Sequence, residues 1–317
     1  MSEVTDAIRK EYKENDDRRD AGLTTPDDIV RFDDICYGSD KTWQLMDIYM
    51  PKSFAEERRL QQRSTDVFDS EAQEIESRRK IPVIVNVHGG AWVYGTKETY
   101  QFYCMGLAER GFAVVNLTYR LAPEFKFPAA VEDINLVMHY IYKNAEHYGM
   151  DLNRLFAVGD SAGGHLLSIY TAASTNPAYA KSLGIDFPKD FKLRAVGLNF
   201  GKYSFEHDNK IYSDGDKVLL KEILAGQGTK EEMEKVNVLP HINSDFPETC
   251  IVTAQDDFLK DQSLLLVERL VEVRVPFTFK LYGNAENALY HVFHCDSRSE
   301  AAKKCNDEQC DFFKSFK

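Results

Sequence analysis

Short apolar runs rich in β-branched residues recur along the chain from residue 81 onward, at Ile81–Val87, Phe112–Leu117, Leu155–Val158, Ala195–Phe200, Cys250–Ala254 and Phe277–Leu281. Each is separated from the next by enough chain for a helix. Runs that are apolar on both faces and joined by helical crossovers predict a parallel sheet covered on both sides. Upstream, Ile29–Tyr37 and Thr42–Met50 flank the turn-like Gly38-Ser39-Asp40 and stop at Pro51, which reads as an antiparallel pair. The pattern therefore predicts an α/β fold with a mostly parallel, eight-stranded sheet. Helical periodicity falls at Thr99–Arg110, Ala129–Tyr148, Gly163–Ser174, Asp261–Arg274 and Ser297–Lys314.

Three segments stand outside this alternation. Residues 1–28 read as a charged amphipathic helix, with Val4, Ile8 and Tyr12 at four-residue steps, ending near Gly22 and Pro26. It is either a solvated arm or part of a lid. Residues 53–80 are mostly Glu, Arg, Gln, Ser and Asp, and read as a solvent-facing insertion without assigned chemistry. Residues 201–245 are too long for a bare connection between strands. They carry Tyr203, Phe205 and Tyr212 and a helical pattern over Asp216–Leu224, and close at Leu239-Pro240. The core then comprises residues 29–200 and 246–317.

Composition narrows the function. The 317 residues hold 39 Lys plus Arg against 51 Asp plus Glu, a formal net charge of −12. Such a surface repels nucleic acid and anionic membranes and suits a small-molecule substrate. The charged first residues contain no apolar segment of a secretory signal, and no stretch is long enough for a membrane span. The 6 cysteines lack Cys-x-x-Cys spacing. Cys36, Cys104 and Cys250 read as buried thiols. Cys295, Cys305 and Cys310 cluster near the C-terminus at spacings that fit no common zinc pattern. His139, His147, His165, His207 and His241 show no metal-ligand pairing. The expectation is a reduced, cytoplasmic protein without metal or cofactor, for which a homodimer stays open.

The chemistry concentrates where strands end, which is where reactive groups gather in such sheets. After Leu155–Val158 comes Gly159-Asp160-Ser161-Ala162-Gly163, a Gly-x-Ser-x-Gly turn leading into a helix. Both glycines are needed because the turn is too tight for side chains beside the serine. Ser161 then stands next to the free N–H groups of a helix start, in a nucleophile's position. After Val87 comes His88-Gly89-Gly90, whose adjacent glycines let backbone N–H groups face a cavity. Gly89, Gly90 and the N–H of Ala162 are the expected oxyanion donors. His88 is expected to brace this loop, and Asp160 to brace the serine turn.

HGGAW, TYRLAPEFKFPAAVEDI at 118–134 and GDSAGG at 159–164 together resemble the hormone-sensitive-lipase-like branch of the α/β-hydrolase superfamily, including its microbial acetyl esterases. The similarity runs from about residue 30 to 295. It implies a serine carboxylester hydrolase on an α/β-hydrolase fold, with residues 201–245 as a small cap over the sheet. It also implies triad order serine, acid, histidine. The family's acid falls on Asp257, with Asp256 as competitor and Asp261 as a cap of the next helix. The family's His-Gly-Phe pattern falls on His291, with Val292 where glycine is usual and His294 as the alternative base. His291 would take the proton of Ser161, Asp257 would fix its tautomer, and an acyl-serine would form and hydrolyse. Small acyl groups such as acetyl are expected, with carbohydrate and feruloyl-type esters as alternatives. Trp92, Tyr94, Tyr100 and Phe102 are candidates to stack on the alcohol. The rival readings are a peptidase on the same fold and a ligand-binding homologue without catalysis.

Overall fold

The computed structural model describes residues 2–64, 80–206 and 214–317. Its centre is one sheet in the order β1-β2-β4-β3-β5-β6-β7-β8. The strands are β1 (Ile29–Cys36), β2 (Leu45–Pro51), β3 (Ile81–Val87), β4 (Ala113–Leu117), β5 (Met150–Asp160), β6 (Ala195–Asn199), β7 (Glu248–Ala254) and β8 (Phe277–Tyr282). β2 runs antiparallel to β1 and β4, and every later pairing is parallel. β5 begins earlier than its apolar run: Met150 and Asp151 pair with Ile81 and Pro82 before a register shift at Val83. The polar Asn153 and Arg154 that cross this irregularity hide the strand's start from a hydrophobic reading.

Helices cover both faces, as expected of strands whose burial is nearly continuous. Ala129–Tyr148 matches its sequence pattern, and Gln101–Glu109, Lys260–Glu272 and Glu300–Lys314 match theirs within a few residues. Short helices at Pro177–Leu183 and Lys230–Val236 lie below the length at which periodicity can be read. Lys52–Ser64 opens the charged insertion as a helix, and residues 65–79 of that insertion lie outside the described residues. Tyr212 lies outside them as well. In the 201–245 segment, Tyr203, Phe205, Leu220, Ile223, Val236 and Val238 are buried in the main core.

The helix Ala162–Thr175 is buried almost along its whole length against β5, β3 and β6. Its first turn lies so close to the end of β3 that a Cβ on Gly163 would stand 2.0 Å from the Val87 carbonyl oxygen and 2.4 Å from that of His88. Backbone has no room to yield there, so the motif's second glycine is a packing requirement.

The N-terminal helix Glu3–Asp20 is shorter than its charged pattern and is capped by Ser2, which accepts from Thr5 N–H. Arginines tie it down along its length. Arg9 donates to the carbonyls of Val93 (2.7 Å) and Ala122 (3.0 Å) and pairs with Glu124. Arg19 donates to Thr99 O at 2.5 Å. From the far end of the chain, Arg298 donates to the carbonyls of Arg19 and Ala21. These last bonds satisfy carbonyls that a helix end otherwise leaves without partners.

Two outcomes follow from these contacts. Gly163→Ala is expected to lower stability by about 3 kcal/mol, at the upper end for overpacking, read as a lower urea midpoint with unchanged slope. In the double variant Arg9→Ala, Arg298→Ala, hydrogen exchange across residues 3–20 is expected to quicken roughly five- to tenfold, the equivalent of about 1 kcal/mol of lost surface ion pairing. Exchange in β3 and β5 should not change.

Candidate active site

β5 ends at Asp160, and Ser161 follows with φ 53° and ψ −121°. A non-glycine residue with positive φ is held only where its surroundings over-determine it. Here the Ser161 N–H donates to Asn199 O (2.9 Å), and its carbonyl receives the His165 N–H (3.1 Å). The side chain is thereby lifted clear at the C-terminal edge of the sheet.

There it meets the two other residues expected from the sequence. Ser161 Oγ is 2.9 Å from His291 Nε2, and His291 Nδ1 is 2.7 Å from Asp257 Oδ1. Asp257 is buried and further fixed, accepting from Thr253 Oγ1 (2.8 Å) and from the Leu259 N–H (3.0 Å). Its competitor Asp256 is exposed, with its backbone paired to Leu289 and Tyr290. Asp261 does not cap the following helix: Leu259 stands at the N-cap, and it is Asp257 that accepts that residue's N–H. His294 is fully buried beneath the site, stacked on Phe200, with burial holding its pKa down at about 3. Val292 takes φ 52°, the left-handed conformation that suits a glycine. The loop thus keeps its course at a backbone cost of about 1–3 kcal/mol.

The His88-Gly89-Gly90 turn is gripped atom by atom. Tyr119 Oη donates to His88 O (2.9 Å) and its ring stacks on the imidazole at 4.0 Å. His88 Nδ1 donates to Gly89 O at 2.7 Å, and burial lowers its pKa to about 4, so the ring is a neutral brace. Gly90 O accepts from Val93 N–H and Tyr94 N–H. Gly89, expected as an oxyanion donor, gives its N–H to Tyr100 Oη (3.1 Å) instead, which corrects that expectation. Among the described residues the N–H groups of Gly90, Ala91 and Ala162 meet no protein acceptor. Ala91 carries no glycine to mark it in the sequence, yet its φ of 51° continues the turn.

The long 118–134 motif now has a physical account. Besides Tyr119, Ala122 N–H donates to Trp92 O, and the Asp133 carboxylate receives the Arg120 N–H and guanidinium and the Gln44 amide. The motif is a buttress behind the glycine turn.

A cavity of about 390 Å³ opens over Ser161 and His291. The N-terminal helix forms one wall through Tyr12, Asn15, Asp16 and Arg19, and Tyr94, Tyr100, Phe258 and Phe293 supply aromatic surface. Tyr94 Oη donates to Asp16 (3.0 Å), while Arg19 pairs with Asp16 and Asp20. No described residue of the 201–245 segment lines this cavity. Trp92 and Phe102 do not reach it either. The Trp92 indole turns inward to His165 Nδ1 (3.0 Å), and Phe102 packs half-buried against the core cluster that holds Tyr103 and Cys104. Asp160 is buried below Ser161, where desolvation pushes its pKa up to about 6 although Tyr100 donates to it.

Of the three cysteines expected to be buried, Cys104 and Cys250 are and Cys36 is not. Cys36 is exposed, because the end of β1 lies at the sheet edge, whereas Cys295, Cys305 and Cys310 are buried free thiols on inward faces. Asp160, His294 and Cys295 bring candidate metal-ligating atoms within 4.8 Å of one another. Cys295 Sγ is 3.9 and 3.7 Å from the two ring nitrogens of His294. No helix among the described residues is long and apolar enough to cross a membrane.

Comparison with known proteins agrees with this architecture. The BD-FAE family model matches residues 72–270, well over half of the chain. An arylesterase of Saccharolobus solfataricus is 28% identical over 212 residues, 64% of this chain and 66% of that protein. A versiconal hemiacetal acetate esterase of Dothistroma septosporum is 29% identical over 210 residues, 63% of each. The chain thus spans less than two thirds of these curated relatives' length. The crystal structure of esterase B from Lactobacillus rhamnosis superposes with a TM-score of 0.82 at 21% identity, covering 99% of this chain and 97% of that one, which shows a shared fold. The match over the region that carries the glycine turn, the serine elbow and Asp257 identifies the chain as a member of the BD-FAE family, in the hormone-sensitive-lipase-like branch of the α/β-hydrolase superfamily.

Proposed function

We propose that the protein is a serine carboxylester hydrolase acting on esters of small acyl groups, acetyl foremost, through an acyl-serine intermediate. The observation that carries this reading is the unbroken line from Ser161 Oγ through His291 to Asp257, with bonds of 2.9 and 2.7 Å. A serine hydroxyl is too weakly acidic to attack an ester unaided. His291 Nε2 takes its proton as attack proceeds, while Asp257 fixes the tautomer with the proton on Nδ1 and stabilises the imidazolium. The carbonyl oxygen gains charge beside the N–H groups of Gly90, Ala91 and Ala162. His291 then protonates the leaving alcohol, and water activated by the same ring releases the acid.

The relatives' names, an arylesterase and an acetate esterase, support ester cleavage and a small acyl group. The N-terminal helix acts as a fixed part of the cap, excluding water from one side of the site. Its Asn15 and Asp16 side chains beside an aromatic floor suit an alcohol bearing hydroxyl groups or a ring, which keeps carbohydrate and feruloyl-type esters within the substrate class. The paired serine, histidine and aspartate speak against a ligand-binding homologue.

Hydrolysis of p-nitrophenyl acetate tests the reading. Ser161→Ala is expected to lower kcat by about 10⁶-fold and Asp257→Asn by about 10⁴-fold. Asp256→Asn is expected to stay within about threefold of the parent, because its carboxylate is exposed and bonds nothing in the site. Activity that survives Ser161→Ala would sink the proposal.

A further inference from the structure

In the glycine turn the carbonyls of His88, Gly89 and Gly90 and the Gly89 N–H are each engaged, and the last of these bonds goes to a side chain that the triad mechanism leaves unused. Tyr100 opens the helix Gln101–Glu109 and is buried beside the cavity. Its hydroxyl accepts the Gly89 N–H at 3.1 Å and donates to Asp160 Oδ2 at 2.7 Å. Asp160 immediately precedes Ser161, so this one hydroxyl joins the turn to the nucleophile's own elbow. Packing says the same independently. A Cβ on Gly89 would stand 2.7 Å from Asp160 Oδ2 and 2.9 Å from Tyr100 Oη, so position 89 is glycine to admit this contact, although its amide is not free for substrate.

We propose that Tyr100 is a positioning residue of the oxyanion site: anchored by the buried Asp160 carboxyl, it holds the Gly89 amide and thereby aims the amides of Gly90 and Ala91 at the space above Ser161. The inference rests on the esterase reading and extends it to a residue outside the triad. The bond lengths set its consequence. An oxyanion donor acts only within about 3 Å of the developing charge, and a misplacement of about 1 Å costs roughly 100-fold. Loss of the hydroxyl releases the turn at its first amide, which affects the transition state and leaves ground-state binding of a small ester almost unchanged.

The test is the kcat and KM of Tyr100→Phe with p-nitrophenyl acetate, beside Tyr103→Phe. Tyr103 is the proper control: it is equally buried, lies edge-on to Tyr100 at 6.3 Å, and its hydroxyl has no hydrogen-bond partner among the described residues. Tyr100→Phe is expected to lower kcat about 10- to 100-fold with KM within threefold, and to weaken inhibition by phenylboronic acid, a tetrahedral mimic, by a similar factor. Tyr103→Phe should match the parent. Equal kcat in Tyr100→Phe and the parent overturns the proposal, as does an equal loss in both variants. Should Tyr100→Phe not fold, Asp160→Asn and Asp160→Ala decide. The amide oxygen of Asn can still accept the Tyr100 hydroxyl and should retain kcat within about tenfold, whereas Ala should lose more. The reverse order, or no difference, overturns the proposal. Ser161→Ala in the same assay separates the two readings: its inactivity beside an unaffected Tyr100→Phe sinks only the Tyr100 role, whereas its activity sinks both.

Discussion

The backbone contact between Gly163 and the end of β3 is the constraint from which the site follows. The helix that starts at Ala162 can lie against the carbonyls of Val87 and His88 only because no Cβ intervenes. That approach fixes the serine elbow and the glycine turn relative to each other before any side chain takes part. The parallel register of β3 and β5, with Val87 opposite Gly159, sets the same relation from the sheet side. Two independent pieces of backbone therefore determine where the Ser161 hydroxyl and a set of amides meet, and the side chains refine it.

The refinement is polar and mostly buried. Tyr119, His88 and Tyr100 each engage a different backbone atom of the turn, and Thr253 and the Leu259 amide do the same for Asp257. Burial keeps His88 and His294 neutral at ordinary pH, so His294 places no competing cation beneath the imidazole of His291. A site held in this way needs little reorganisation as charge develops, the condition under which fixed dipoles are most effective.

What the sequence made legible was whatever is written in local pattern. Six strands could be read because short β-branched apolar runs differ from anything around them, the first two because they flank a turn, and the elbow because its glycines have no other use. Properties that depend on direction in space were hidden. No pattern tells that the Gly89 N–H turns toward Tyr100, or that Trp92 faces His165 and not the cavity. The charged neighbours of Cys305 and Cys310 give no sign of where their thiols point, and the helix turns both inward. The N-terminal helix was ambiguous for a related reason. Its charged residues looked solvated, whereas Arg9 and Arg19 spend their guanidinium groups on distant carbonyls and Asp16 faces the cavity.

That helix has a consequence for the order in which the protein matures. It leaves the ribosome ahead of the sheet, but a guanidinium that secures its carbonyl end belongs to Arg298, 279 positions later than Arg19. A nascent chain carries a wall whose carbonyl end lacks this partner until position 298 is made, and the imidazole at 291 arrives hardly sooner. Competence is thereby deferred until translation has passed both positions.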